Sequence, residues 1–201
     1  MTQVKLCGLR RPEDIEAANR LKPEYIGFVF AGKSKRYVDP ETAASLKEAL
    51  DPSIKAVGVF VNEEFYVVEY LLKKHVIDVA QLHGNESEAY IDKLKKSTGK
   101  TVIRAFKIKS SEDVEVAVKS PADYILLDAG AGDGVSFDWS VVKDVERPFF
   151  LAGGLDADNV SEAIKSVHPF AVDVSSGIET DGFKDIDKMT AFVNAVRKEL
   201  S

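Results

Sequence analysis

Cys7 and Asp128 are the side chains of this 201-residue sequence best suited to moving protons, because each ends a short run that reads as a β-strand. A thiol acts as a base only as its thiolate, and a cationic neighbour or converging loop N–H groups lower its pKa. Lys5 lies two residues before Cys7, on the same face of a strand. A lone cysteine is more often a small buried hydrophobe than a nucleophile, but the strand-end position reverses that preference and points to a catalytic thiolate. Asp128 follows Tyr124-Ile125-Leu126-Leu127. A carboxyl group after such a run is costly unless solvated or hydrogen-bonded. Apolar surroundings raise its pKa, as a general acid requires. The plainer alternative is a helix cap or a loop ion pair. With these roles, kcat/KM falls at low pH as the thiolate is protonated and at high pH as Asp128 loses its proton.

Two other strand ends are suited to holding an anion. One reads Leu151-Ala152-Gly153-Gly154-Leu155 and the other Asp173-Val174-Ser175-Ser176-Gly177-Ile178-Glu179. Paired glycines bring backbone N–H groups close to a ligand. Ser175 and Ser176 add hydroxyl donors, and a short helical turn from Gly177 adds its positive end. Together they form a phosphate site, whereas either alone reads equally well as a tight turn or a cap. Arg36, in the basic stretch Lys33-Ser34-Lys35-Arg36, offers a planar fork that matches a carboxylate, which lysine does not. His83, in Gln81-Leu82-His83-Gly84, reads as a hydrogen-bonding histidine. His75 falls in a helix and His168 near a helix end, so no metal-ligand cluster is visible. The glycine-rich stretch Ala129-Gly130-Ala131-Gly132-Asp133-Gly134 lacks the lysine of a nucleotide-binding loop and reads as a lid.

These residues need elements that converge them. Expected strands are Val4–Cys7, Tyr25–Phe30, Ala56–Val61, Val79–Leu82, Val102–Ile108, Tyr124–Asp128, Phe149–Ala152 and Ala171–Ser175. Most are continuous apolar runs, as for parallel strands buried on both faces. Between them lie the amphipathic stretches Pro12–Leu21, Pro40–Leu50, Glu63–Lys74, Ser87–Lys96, Ser111–Lys119, Asp158–Val167 and Asp185–Leu200, with a weaker one at Asp138–Lys143. Strict alternation requires parallel strands joined by right-handed crossovers. Eight strands, no G-x-G-x-x-G after the first, and phosphate-like loops after the last two favour a closed (β/α)8 barrel over an open sheet. Function then sits at the C-terminal strand ends.

The bulk composition narrows the partners. With 45% apolar and 30% charged residues the chain reads as one globular α/β domain over 1–201, without a linker. A net charge of −6 argues against nucleic acid or an anionic membrane as partner. One cysteine excludes an intrachain disulfide and a cysteine-based metal site. No run has the length of a signal peptide or a membrane span, so a reducing cytoplasm is the expected compartment. Either a monomer or a homodimer is compatible.

In this order, the motifs resemble those of the phosphoribosylanthranilate isomerases of tryptophan biosynthesis. The resemblance runs over essentially the whole chain. Its pieces are Lys5-Leu6-Cys7-Gly8-Leu9, Gly27-Phe28-Val29-Phe30 with Ser34-Lys35-Arg36-Tyr37-Val38, Gln81-Leu82-His83-Gly84, Leu127-Asp128, and the two anion-binding strand ends. It implies a cofactor-free Amadori rearrangement of a small phosphoribosyl substrate. Asp128 protonates the furanose oxygen, Cys7 takes the C2′ proton, and Arg36 faces the anthranilate carboxylate. His83 falls on the substrate-binding side, Asp173 orients the sugar or the aniline, and Gly153, Gly154, Ser175 and Ser176 hold the phosphate. Where the family commonly has Ser-Pro-Arg, this chain has Ser34-Lys35-Arg36, a less rigid loop. Ribulose-phosphate epimerases would need metal-binding His and Asp at several strand ends. The related histidine-pathway isomerase would have Asp in place of Cys7, and indole-glycerol-phosphate synthase would need catalytic Lys and Glu. A non-catalytic phosphate-binding barrel would not need Cys7 and Asp128 together.

Overall fold

Eight parallel strands close into a barrel in the computed structural model, which describes residues 1–128, 130 and 139–199. The strands are β1 (Gln3–Cys7), β2 (Tyr25–Val29), β3 (Lys55–Phe60), β4 (Val79–Leu82), β5 (Thr101–Lys107), β6 (Tyr124–Asp128), β7 (Phe149–Ala152) and β8 (Ala171–Val174). β1 closes the ring against β8, with Lys5 beside Asp173 and Leu6 beside Val174. The helices are α1 (Pro12–Leu21), α2 (Pro40–Glu48), α3 (Phe65–Lys73), α4 (Glu88–Thr98), α5 (Ser111–Ala117), α6 (Val160–Val167) and α7 (Ile186–Lys198). The strand boundaries fall within a residue of those expected.

Local chemistry explains the helix starts. Pro12 and Pro40 occupy first-turn positions, where a missing N–H costs nothing. Asp39, as expected, caps α2 by accepting the Thr42 N–H at 2.9 Å. The connection after β6 differs from the expectation. The described part of the weak candidate Asp138–Lys143 holds only a 3₁₀ turn, Trp139–Val142. Its two β-branched valines are poor helix formers, and Pro148 follows closely. The expected lid falls, except for Gly130, outside the described residues, as does Leu200. A feature not anticipated is a two-residue hairpin, β9 (Glu179–Thr180) with β10 (Phe183–Lys184), between β8 and α7.

Two apolar layers result from the strand alternation. Residues such as Leu6, Phe28, Phe60 and Leu127 pack outward against the helices. Tyr25, Val57, Ile103, Leu126 and Phe150 fill the barrel interior, with Cys7, Val29 and Val59 above them. Between these interior groups sits a buried ion pair: Lys5 Nζ donates to Asp173 Oδ2 at 2.9 Å, with Lys5 fully buried. Removing one partner leaves a buried charge uncompensated. Lys5→Met is therefore expected to destabilise the fold by about 3–5 kcal/mol. Urea unfolding of Lys5→Met and of Lys5→Met/Asp173→Leu checks this: the double variant should recover much of the loss, and an undiminished stability in the single variant would contradict it.

Candidate active site

All nine residues singled out in the sequence line one cavity of about 480 Å³ at the C-terminal ends of the strands. Cys7 and Asp173 reach it from the adjacent strands β1 and β8, and Asp128 from β6, across the ring. His83 stands just past the end of β4. Gly153 and Gly154 follow β7, and Ser175 and Ser176 follow β8. Arg36 enters from the loop after β2. A second hollow, of about 400 Å³, shares Asp128, Gly153 and Gly154 with the first and adds Gly130 and Lys109.

The thiol has room because of a glycine on the neighbouring strand. A Cβ built on Gly27 would stand 2.7 Å from Cys7 Sγ and 3.1 Å from its Cα. Rotating the side chain cannot relieve the second contact, so β1 itself would have to move. Gly27→Ala is expected to lower turnover by roughly 10-fold while the fold persists, because Cys7 must shift by a few tenths of an ångström and a full ångström can cost about 100-fold. Circular dichroism together with turnover checks this, and wild-type turnover would show that Cys7 tolerates the displacement.

The protonation of Cys7 departs from the expectation. Burial pushes its thiol above the ordinary value of 9.0. Lys5 and Lys184 oppose that rise, and Asp173 adds to it. Lys5 was expected to stabilise a thiolate, but its charge is already matched by Asp173. Cys7 therefore rests as a thiol at neutral pH.

Asp128 departs in the opposite direction. Burial raises its pKa, but a hydrogen bond from His83, the Gly130 N–H and the charges of His83 and Lys107 outweigh it, leaving the carboxyl below 3.8. His83 Nε2 lies 3.4 Å from Asp128 Oδ2, and Gly130 N donates to Oδ1 at 3.0 Å. On its other side His83 Nδ1 is 3.3 Å from Gln81 Nε2. Asp128 is therefore a carboxylate at rest.

The loops after β7 and β8 have the glycine conformations and the helical turn expected of them, with one side chain otherwise engaged. Gly153 and Gly154 have φ of 98° and 66°, the left-handed region that side chains avoid. A 3₁₀ turn, Ser176–Ile178, follows β8 as expected. Ser175 is already engaged, however. Its hydroxyl donates to the Cys7 carbonyl at 3.1 Å, tying the end of β8 to the end of β1. Asp173 keeps Oδ1 without a partner among the described residues, as does Gln81 its Oε1. Both side chains line the cavity. Arg36, expected to present its fork to a ligand, gives its Nε and Nη2 to Glu179 at 2.7 and 2.8 Å.

Several residues of the site were not singled out. Lys107 follows Ile103 and Ala105 at the strand period and reaches both hollows. The same period pairs Gln81 with His83. Glu179 and Lys184 carried no signal of their own, since only the folded chain brings them to Arg36. Among the described residues, no group of three or more His, Cys, Asp or Glu is placed to hold a metal ion, and no helix is long and apolar enough to cross a membrane.

Known proteins share this sequence and fold. The family model described as N-(5′-phosphoribosyl)anthranilate (PRA) isomerase matches residues 4–195. The N-(5′-phosphoribosyl)anthranilate isomerase of Clostridium acetobutylicum is 47% identical over 207 residues, covering 98% of this chain and 99% of that protein. The crystal structure of phosphoribosyl anthranilate isomerase from Thermotoga maritima superposes with a TM-score of 0.91 at 37% identity, over 98% of this chain and all (100%) of the other. A further structure of such an isomerase, holding reduced 1-(o-carboxyphenylamino)-1-deoxyribulose 5-phosphate, matches at 0.89 with 37% identity over 98% and 100% of the two chains. This chain belongs to the N-(5′-phosphoribosyl)anthranilate isomerase family.

Proposed function

We propose that the chain carries out the Amadori rearrangement of N-(5′-phosphoribosyl)anthranilate to 1-(2-carboxyphenylamino)-1-deoxyribulose 5-phosphate in tryptophan biosynthesis, with Asp128 as acid and Cys7 as base. The observation that carries the roles is that these two residues rise from separate strands into one cavity walled by the β7 and β8 loops. The anthranilate nitrogen supplies the lone pair that opens the furanose to an iminium, while Asp128 delivers a proton to the departing ring oxygen. The iminium acidifies the C2′–H bond, and Cys7 takes that proton, leaving an enolamine. Movement of the O2′ proton to C1′ then gives the ketone. The acid–base pair suffices for these transfers.

After them, Cys7 holds a proton and Asp128 does not, the state that the raised thiol and the lowered carboxyl favour. The productive state is its tautomer, with the single proton on Asp128. A bound substrate that excludes water from Asp128 favours this tautomer, because burial is what raises that carboxyl. His83 connects the carboxylate to Gln81 and holds it toward the cavity. The phosphate lies against Gly153, Gly154 and the Ser175-Ser176 turn, and the carboxylate faces Arg36. Asp173 Oδ1 accepts from the sugar or the aniline N–H. A single barrel over 1–201, as monomer or homodimer in the cytoplasm, without nucleic-acid or membrane partners, fits the acidic charge and the single cysteine.

Mixing the protein with freshly prepared phosphoribosylanthranilate tests the activity. Loss of the anthranilate fluorescence with formation of the ketose is expected. Persistence of both the fluorescence and the substrate would overturn the reading.

A further inference from the structure

Arg36 is held from several sides. The Gly8 side has no Cβ, and one built there would stand 2.6 Å from Arg36 Cδ, so the arginine stem packs directly on the end of β1. Its backbone N–H donates to Ser34 Oγ at 3.1 Å. Glu179 takes Nε and Nη2 in a two-bond fork. Nη1 donates no hydrogen bond among the described residues.

Glu179 is itself fixed. Buried Lys184 donates from Nζ to Glu179 Oε1 at 2.7 Å and to the Ser175 carbonyl at 2.9 Å. The β9–β10 hairpin that carries both residues is pinned to the loop after β1. Arg10 donates to the Gly182 carbonyl at 3.1 Å and Arg11 to the Lys184 carbonyl at 2.9 Å. Both guanidinium groups also lie over the Phe183 ring, at 4.8 and 4.9 Å. The anchor therefore runs from β1 through the hairpin to Arg36.

We propose that Glu179 is the positioning residue for Arg36, occupying the Nε–Nη2 edge of the guanidinium so that its Nη1–Nη2 edge is presented to the substrate carboxylate. A guanidinium has two edges that match a carboxylate, and side chains of this length lose considerable freedom when fixed. With one edge bound to protein, the orientation of the other is set before substrate arrives. The loop sequence gives this device a purpose. Lys35 stands where a proline would stiffen the approach to Arg36, so the restraint comes from Glu179 and the hairpin instead. Lys184 balances the added carboxylate, so the substrate meets a net positive surface.

The inference rests on the reading that Arg36 takes the substrate carboxylate, and one experiment separates the two. The ratio of kcat/KM for phosphoribosylanthranilate to that for phosphoribosylaniline, which lacks the carboxylate, is measured for the wild type, Arg36→Met and Glu179→Gln. Glu179→Gln should lower this ratio by roughly 10- to 100-fold, mainly through KM, the scale of one charge-assisted hydrogen bond. An equal loss on both substrates, leaving the ratio unchanged, would overturn the positioning role. An unchanged ratio in Arg36→Met would instead overturn the reading beneath it. Glu179→Gln/Lys184→Met leaves no buried charge unpaired and guards against misfolding. It should show the same selective loss, and retention of the wild-type ratio in it would refute the proposal.

Discussion

Replacing Cys7 by alanine is expected to lower kcat by roughly 10²–10⁴-fold, the usual contribution of a positioned acid or base. The affinity for a reduced product analogue should change little. Asp173, the acid nearest Cys7 in the ring, is committed to Lys5 through Oδ2, which leaves the thiol as the proposed acceptor of the carbon-bound proton. The substitution removes the proposed base and leaves the Ser175 bond to the residue 7 carbonyl intact. Steady-state rates and calorimetric titration with the analogue separate the two quantities. A fall in affinity matching the fall in kcat would mean that Cys7 binds rather than reacts.

Asp128→Asn is expected to cost a comparable roughly 10²–10⁴-fold, and it also changes the shape of the pH profile. In the wild type, the sequence reading gave the acid limb to Cys7 and the alkaline limb to Asp128. The folded environments exchange them. Asp128 sits below the ordinary carboxylate value of 3.8 and Cys7 above the ordinary thiol value of 9.0. Between those limits the pair shares one proton, and only the minor tautomer, with that proton on Asp128, is productive. As pH falls through the Asp128 range a second proton arrives and no base remains. As pH rises through the Cys7 range the last proton leaves and no acid remains. The wild-type kcat/KM should therefore show a broad plateau. In Asp128→Asn the residual rate depends on the thiolate alone and should climb with pH towards and beyond 9.0. A plateau in the variant like that of the wild type would contradict the acid role.

That exchange marks the limit of what single residues reveal. The barrel was legible because continuous apolar runs at a regular spacing leave few alternatives. The placement of Cys7, Asp128 and the glycine pair around one cavity was legible because a strand end in a barrel is a position at the mouth. Their protonation was not. The apolar run before Asp128 pointed to an apolar setting, and the carboxyl is partly buried, yet His83 arrives from another strand and the Gly130 N–H from the following loop. Lys5 beside Cys7 suggested a thiolate, yet Asp173, 168 residues away in sequence, already takes that charge. Arg36 and Glu179 are 143 residues apart, and only closure of the ring between β1 and β8 brings them together. Chemistry set by local order was readable, and chemistry set by cross-barrel contacts was not.

A single turnover tests the account most directly. Freshly prepared phosphoribosylanthranilate is mixed with a molar excess of Cys7→Ala protein and its anthranilate fluorescence is followed, so that product release plays no part. The substrate signal should persist in Cys7→Ala, while the wild type extinguishes it. Decay in Cys7→Ala at the wild-type rate would contradict Cys7 as the base.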